Sequence, residues 1–131
     1  MKNTWGKPRT KNFVLIRGKH LIIDAYGIKE KKLKNQRAIK KLLGGLPKKF
    51  KMRTLRQPAV AKVVSDKYYD WGISGFVMLY ESHISLHTWP NEGYVAMDIY
   101  SCKDFNDKEI VKYLKKYWSC GKIKVKTILR G

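Results

Sequence analysis

Apolar and polar residues alternate along much of this chain, and in two stretches the apolar ones recur instead every three to four positions. A short apolar stretch at 13–16 precedes KHLIIDAY (19–26), which predicts a strand closed by Gly27. Next comes KEKKLKNQRAIKKLLGG, in which Leu33, Ala38, Ile39, Leu42 and Leu43 fall at helical spacing. Gly44 and Gly45 supply its stop, because glycine takes the left-handed cap conformation at low cost. Residues 51–56 and 59–65 look strand-like, the second rich in β-branched side chains, and 66–72 (DKYYDWG) is a loop. Three alternating strands follow at 73–80, 83–89 and 94–100, the last two joined by the turn Pro-Asn-Glu-Gly at 90–93. In the second of them His83, Ser85 and His87 share one face, and Ile84, Leu86 and Thr88 the other. Asn106 opens a second helix with Glu109 as capping partner; Ile110, Leu114 and Tyr117 give it an apolar stripe to about Trp118. After Cys120 and Gly121 a closing strand alternates through 122–129.

The order strand, helix, several strands, helix, strand predicts an α+β fold, a two-layer sandwich with a mainly antiparallel sheet and two helices on one face. The sheet's other face is then uncovered, and its aromatic and apolar residues predict pairing with a second copy. Residues 18–131 form the domain and 1–17 a basic N-terminal arm.

A chain of 131 residues buries a core without disulfide or metal staples. No apolar run is long enough to span a bilayer, and the basic N-terminus carries no secretory pattern, so a cytoplasmic protein is expected. The two cysteines, Cys102 and Cys120, make no disulfide framework or zinc-ligand spacing, and no metal is expected. The net charge of +19 comes from lysines scattered through the chain. That distribution reads as a solvated surface which attracts nucleic acid only nonspecifically.

The stretch 71–102 holds Ser74, Ser82, His83, His87 and Cys102, all near hairpin turns or strand ends. A hydroxyl, an imidazole and a thiol on adjacent strands suit a nucleophile-plus-base site. The same residues also suit a decorated solvent face.

Glu81-Ser82-His83, His87-Thr88-Trp89-Pro90, Cys102 and the upstream Gly72-Ile73-Ser74-Gly75 match in identity, order and spacing a known pattern. The chain resembles the prokaryotic S-adenosylmethionine decarboxylase proenzymes, more weakly over about 18–131 as a whole. Decarboxylating an amino acid requires an electron sink, and a ketone at a chain terminus supplies one by forming a Schiff base with the substrate amine. The resemblance implies that Ser82 attacks the Glu81 carbonyl, that the chain divides into 1–81 and 82–131, and that Ser82 becomes a pyruvoyl cofactor. It further implies that His87 removes the Ser82 α-proton, that Ser74 hydrogen-bonds the processing intermediate, and that Cys102 protonates the decarboxylated carbon. His83 either lies at the pyruvoyl group or supports the fold. Tyr68 falls where the family places an aromatic that stacks on adenine. Where the family has Glu after His-Thr-Trp-Pro to hold the ribose hydroxyls, this chain has Asn91 and then Glu92. An amide bonds one hydroxyl but lacks the charged acceptors of a carboxylate.

The implied enzyme is a homodimer of cleaved protomers that makes decarboxylated S-adenosylmethionine for spermidine synthesis. Two alternatives stand beside it. One is a pyruvoyl-dependent arginine or ornithine decarboxylase, for which Asp24, Asp70 and Glu92 are candidate cation-binding carboxylates. The other is a basic nucleic-acid-binding domain without the chemistry.

Overall fold

The computed structural model describes residues 17–64 and 71–131. Six strands make one sheet: β1 (Gly18–Tyr26), β2 (Ala59–Val63), β3 (Gly72–Leu79), β4 (Ser82–Trp89), β5 (Tyr94–Ser101) and β6 (Lys122–Arg130). Their order across the sheet is β2-β3-β4-β5-β1-β6, and every neighbouring pair is antiparallel. Three helices accompany it: α1 (Glu30–Leu33), α2 (Gln36–Lys49) and α3 (Asp107–Trp118).

Alternation along each strand sorts the side chains to two faces. Leu21, Ile23 and Ala25 of β1, Ile73, Val77 and Leu79 of β3, Ile84 and Leu86 of β4, and Val95, Met97 and Ile99 of β5 are buried on one face. There they join Ile39, Leu42, Leu43 and Leu46 of α2 and Ile110, Leu114 and Trp118 of α3 in one core. The two-layer α+β arrangement is therefore as expected, with both long helices on the same face. Among the described residues no helix packs on the other face, which carries Phe76 and Met78, about 40% exposed, together with His20, His83, His87, Trp89, Tyr94 and Tyr100. No helix among the described residues is long and apolar enough to cross a membrane.

Three boundaries differ from the sequence reading. The first predicted helix is broken at Lys34–Asn35, where the Asn35 side chain accepts from the Ala38 amide and starts α2 afresh. α2 then runs through Gly44, Gly45 and Pro47 because burying Leu42, Leu43, Leu46 and Pro47 outweighs the glycines' weak helix propensity. Residues 51–56 are not a strand; they touch the sheet through one bridge, Thr54 to Leu79. The apolar stretch 13–16, most of the basic arm and the loop residues 65–70 lie outside the described residues.

Asn106 caps α3 as read, accepting from the Glu109 amide. The start of α3 is tied to β1 by Lys19, whose buried Nζ donates to the Phe105 carbonyl at 2.7 Å and lies 3.5 Å from Asp107. At the opposite end of the sheet, Gly72 lets β3 pass close to β4. A Cβ there would sit 1.8 Å from the Thr88 carbonyl oxygen. Gly72→Ala is expected to cost about 1–3 kcal/mol by overpacking. Urea denaturation of an uncleaved precursor at fixed protein concentration checks this, and an unchanged midpoint would refute it.

Candidate active site

Two groups of predicted residues come together, at different ends of β4. At its start, Tyr80 and Glu81 form a two-residue turn between β3 and β4, and Ser82 pairs with Ser101, next to Cys102. The Ser82 φ is +152°, a region that a residue bearing a Cβ enters at a cost of about 1–3 kcal/mol. The carbonyl preceding that residue is also engaged: Glu81 O accepts from the Cys102 amide at 2.9 Å. An N–H aimed at this oxygen stabilises negative charge developing on it when the carbonyl carbon is attacked. The Glu81 carboxylate is fully buried and accepts from the Arg53 amide at 3.0 Å and from Arg53 Nε at 3.2 Å. Both cysteines are thiols, partly exposed.

Towards the other end of β4, Ser74 stands opposite His87 in the β3–β4 register. The Ser74 Oγ and His87 Nδ1 lie 2.9 Å apart, so the hydroxyl and the imidazole form the hydrogen-bonded pair that base chemistry requires. A cavity of about 210 Å³ adjoins them, lined by Val63, Trp71, Ile73, Thr88 and Trp89 among others. Thr88 and Pro90 serve the fold. The Thr88 hydroxyl donates to the Leu33 carbonyl and accepts from the Ile73 amide, and buried Pro90 opens a single 3-10 turn, Pro90–Glu92. Asn91 and Glu92 are exposed on that turn, at the same end as the Ser74–His87 pair. Gly93 closes it at φ +64°, a left-handed conformation that suits glycine. Trp89, Tyr94 and Tyr26 stack in sequence, with centroids 4.9 and 5.1 Å apart, and the Tyr94 hydroxyl donates to Asp24 at 2.5 Å. Burial, then the Asp24 bond, pushes the Tyr94 hydroxyl well above its ordinary pKa, so it stays protonated.

The two groups do not meet within one chain. Ser82 and His87 are five residues apart on one unbroken strand, roughly 16 Å at about 3.3 Å per residue. His83 lies between them on the open face, against Phe76 and Tyr100, with ring centroids 5.5 and 5.9 Å away. Burial, assisted by nearby His20, lowers its pKa from the ordinary imidazole value against the opposing pull of Asp98. Tyr68 and Asp70 fall outside the described residues. The sequence reading missed Arg53, which is 28 positions from Glu81 and outside every motif, and the Cys102 amide, since a backbone group leaves no residue signature. Among the described residues no cluster of His, Cys, Asp and Glu is arranged to hold a metal.

Comparison with known proteins gives one answer. The family described as S-adenosylmethionine decarboxylase matches residues 19–131. The chain is similar to the S-adenosylmethionine decarboxylase proenzyme of Clostridium botulinum (strain Langeland), 39% identical over 115 residues that span 87% of this chain and 94% of that one. It is 32% identical to the proenzyme of the same name from Methanococcus maripaludis, covering 87% of this chain and 89% of that protein. Among solved structures, the crystal structure of the adenosylmethionine decarboxylase from Aquifex aeolicus VF5 superposes with a TM-score of 0.71 at 27% identity, covering 88% of this chain and 92% of that one.

Proposed function

The chain belongs to the S-adenosylmethionine decarboxylase family and is a decarboxylase, and we propose that it builds its own prosthetic ketone by cleaving itself between residues 81 and 82. The observation that carries this reading is the Glu81–Ser82 bond. Its serine is held at φ +152°, and its carbonyl oxygen already accepts an N–H from Cys102. Strain raises the ground state, and the amide stabilises the oxyanion.

In the proposed processing, the Ser82 hydroxyl attacks the Glu81 carbonyl carbon. A C–O bond forms, the C–N bond breaks, and the Ser82 nitrogen takes the hydroxyl proton, which leaves an ester. His87 then removes the Ser82 α-proton, the Ser82 Cβ–O bond breaks, and the new main-chain carboxylate of Glu81 departs as leaving group. Water replaces the nitrogen as ammonia, so that residues 82–131 begin with a pyruvoyl group. When formed, that group supplies the electron sink for loss of carbon dioxide from an amine-bearing substrate. Cys102, one residue past the Ser101 that pairs with Ser82, is the proposed proton donor to the decarboxylated carbon. Ser74 orients His87, and Asn91, Glu92 and Tyr68 are the proposed substrate contacts.

Because His87 is roughly 16 Å from its own chain's Ser82, the proposal includes a homodimer. Stacking two open faces about a two-fold axis near the middle of β4 would set the Ser74–His87 end of one copy against the Ser82 end of the other. The exposed Phe76 and Met78 would be buried by that contact.

S-adenosylmethionine is the proposed substrate, after the relatives' names. Of the carboxylates suited to an arginine or ornithine substrate, Asp24 is already engaged as an acceptor from Tyr94. The reading places the enzyme in the cytoplasm at the step that feeds spermidine synthesis. The charge of +19 contributes nonspecific attraction to nucleic acid. Mass spectrometry of the purified protein is expected to find chains 1–81 and 82–131, the second beginning without an amine. Carbon dioxide is expected from S-adenosylmethionine and not from arginine or ornithine. One intact chain would overturn the self-cleavage, and gas from arginine or ornithine alone would move the substrate.

A further inference from the structure

We infer that Arg53 is a positioning residue for self-cleavage, clamping the Tyr80–Glu81 turn so that the Glu81 carbonyl is presented to the Ser82 hydroxyl. The inference rests on the self-cleavage proposed above and adds to it a residue that lies on none of the strands carrying the reacting groups.

The segment 51–56 passes the tip of the β3–β4 hairpin without forming a strand of its own. It is held there by the Thr54–Leu79 bridge and by the Leu55 amide donating to the Met78 carbonyl at 2.8 Å. Arg53 then uses its backbone in both directions. Its carbonyl accepts from the Tyr80 amide at 3.0 Å, and its amide donates to Glu81 Oε1 at 3.0 Å. Its side chain adds Nε to Glu81 Oε2 at 3.2 Å, with the guanidinium 4.6 Å from the centre of the Tyr80 ring. Both residues of the turn are therefore gripped from one side by a single residue. The Cys102 amide holds the Glu81 carbonyl from the other.

The charges explain why the side chain matters as well as the backbone. The Glu81 side chain has no exposure at all, whereas that of Arg53 is 62% exposed. A carboxylate withdrawn from water needs a charged or hydrogen-bonding partner, and without one it takes up a proton or moves back to solvent. Either change loosens the residue whose carbonyl must face Ser82, and lets the strain at φ +152° relax through the turn. Elimination also leaves a second carboxylate on Glu81, as the new chain end. The guanidinium that pairs with the first therefore remains useful after the bond has broken.

Arg53 itself lines a cavity of about 490 Å³ together with Lys48, Met52, Thr54 and Tyr80, with room for a small ion. That makes chemical rescue the test. Arg53→Ala precursor is purified, and its conversion to 1–81 and 82–131 is followed by denaturing electrophoresis, with added guanidinium chloride or with equal sodium chloride. Cleavage is expected to slow roughly ten- to a hundredfold, the scale on which misplaced reacting groups act, and to recover in part with guanidinium only. Decarboxylation per cleaved chain should change less than about twofold. Wild-type cleavage by Arg53→Ala would overturn the inference, and so would slowed cleavage that guanidinium does not restore. Should Arg53→Ala fail to melt cooperatively, Arg53→Lys carries the test, because it keeps a charge but loses the Nε–H. Slower cleavage at an unchanged melting point supports the clamp, and cleavage at the wild-type rate refutes it. If the wild-type chain itself does not cleave, the self-cleavage reading has failed and not the clamp.

Discussion

Ser82→Ala is expected to leave the protein as one chain of 131 residues and to lower decarboxylation at least about a thousandfold, the scale seen when a nucleophile is removed. The reason is chemical before it is structural. Alanine has no hydroxyl to attack the Glu81 carbonyl, so no ester forms and no ketone follows. The rest of the cleavage site is expected to persist, since the Cys102 amide, the Arg53 clamp and the neighbouring β-register do not depend on the hydroxyl. Denaturing electrophoresis and carbon dioxide release from S-adenosylmethionine check the two halves of the expectation. Two fragments from this variant, divided at the same bond, would remove Ser82 from the mechanism.

The second large effect is a gain. Ser82→Ala and His87→Ala homodimers are each expected to be inactive, the first without its nucleophile and the second without its base. Co-expressed under two different tags and purified through both, the mixed dimer carries one complete site. The His87→Ala copy supplies Ser82 and Cys102, and the Ser82→Ala copy supplies Ser74 and His87. Its activity is expected to be about half that of the wild-type dimer, since closed two-fold symmetry gives two equivalent sites and one survives. Only the His87→Ala chain should be cleaved, which its tag identifies on a gel. If both chains stay whole and inactive, each site is confined to one protomer, and the separation along β4 must be closed by some other movement.

Much of this was legible in the chain, for a definable reason. The strands β3, β4 and β5 are consecutive hairpins, so the alternation that buries Val77, Ile84, Leu86 and Met97 also sets their register. Residues close in sequence, such as Ser74 and His87, therefore end as cross-strand neighbours. The helix break at Asn35 was harder to see, because a cap residue inside a lysine-rich helical pattern does not interrupt its period. The run of α2 through Gly44, Gly45 and Pro47 was hidden for a different reason. Propensity argues against it, and only the core packing of Leu42, Leu43 and Leu46 outweighs propensity.

The functional residues divide along the same line. Side-chain chemistry at fixed spacing (Glu81-Ser82-His83, His87 to Pro90, Cys102) is a property of the sequence, and through the family resemblance it supplied the candidate reacting groups. Three things belonged to the tertiary structure alone: the amide of Cys102 on the Glu81 carbonyl, the grip of Arg53 from 28 residues away, and the separation of the two halves of the site. Backbone donors have no residue identity, long-range contacts have no period, and distance along a strand is fixed only once the strand is known to be unbroken. Local pattern thus determined which side chains are candidates for the chemistry, and the fold decided which of them are within reach of one another.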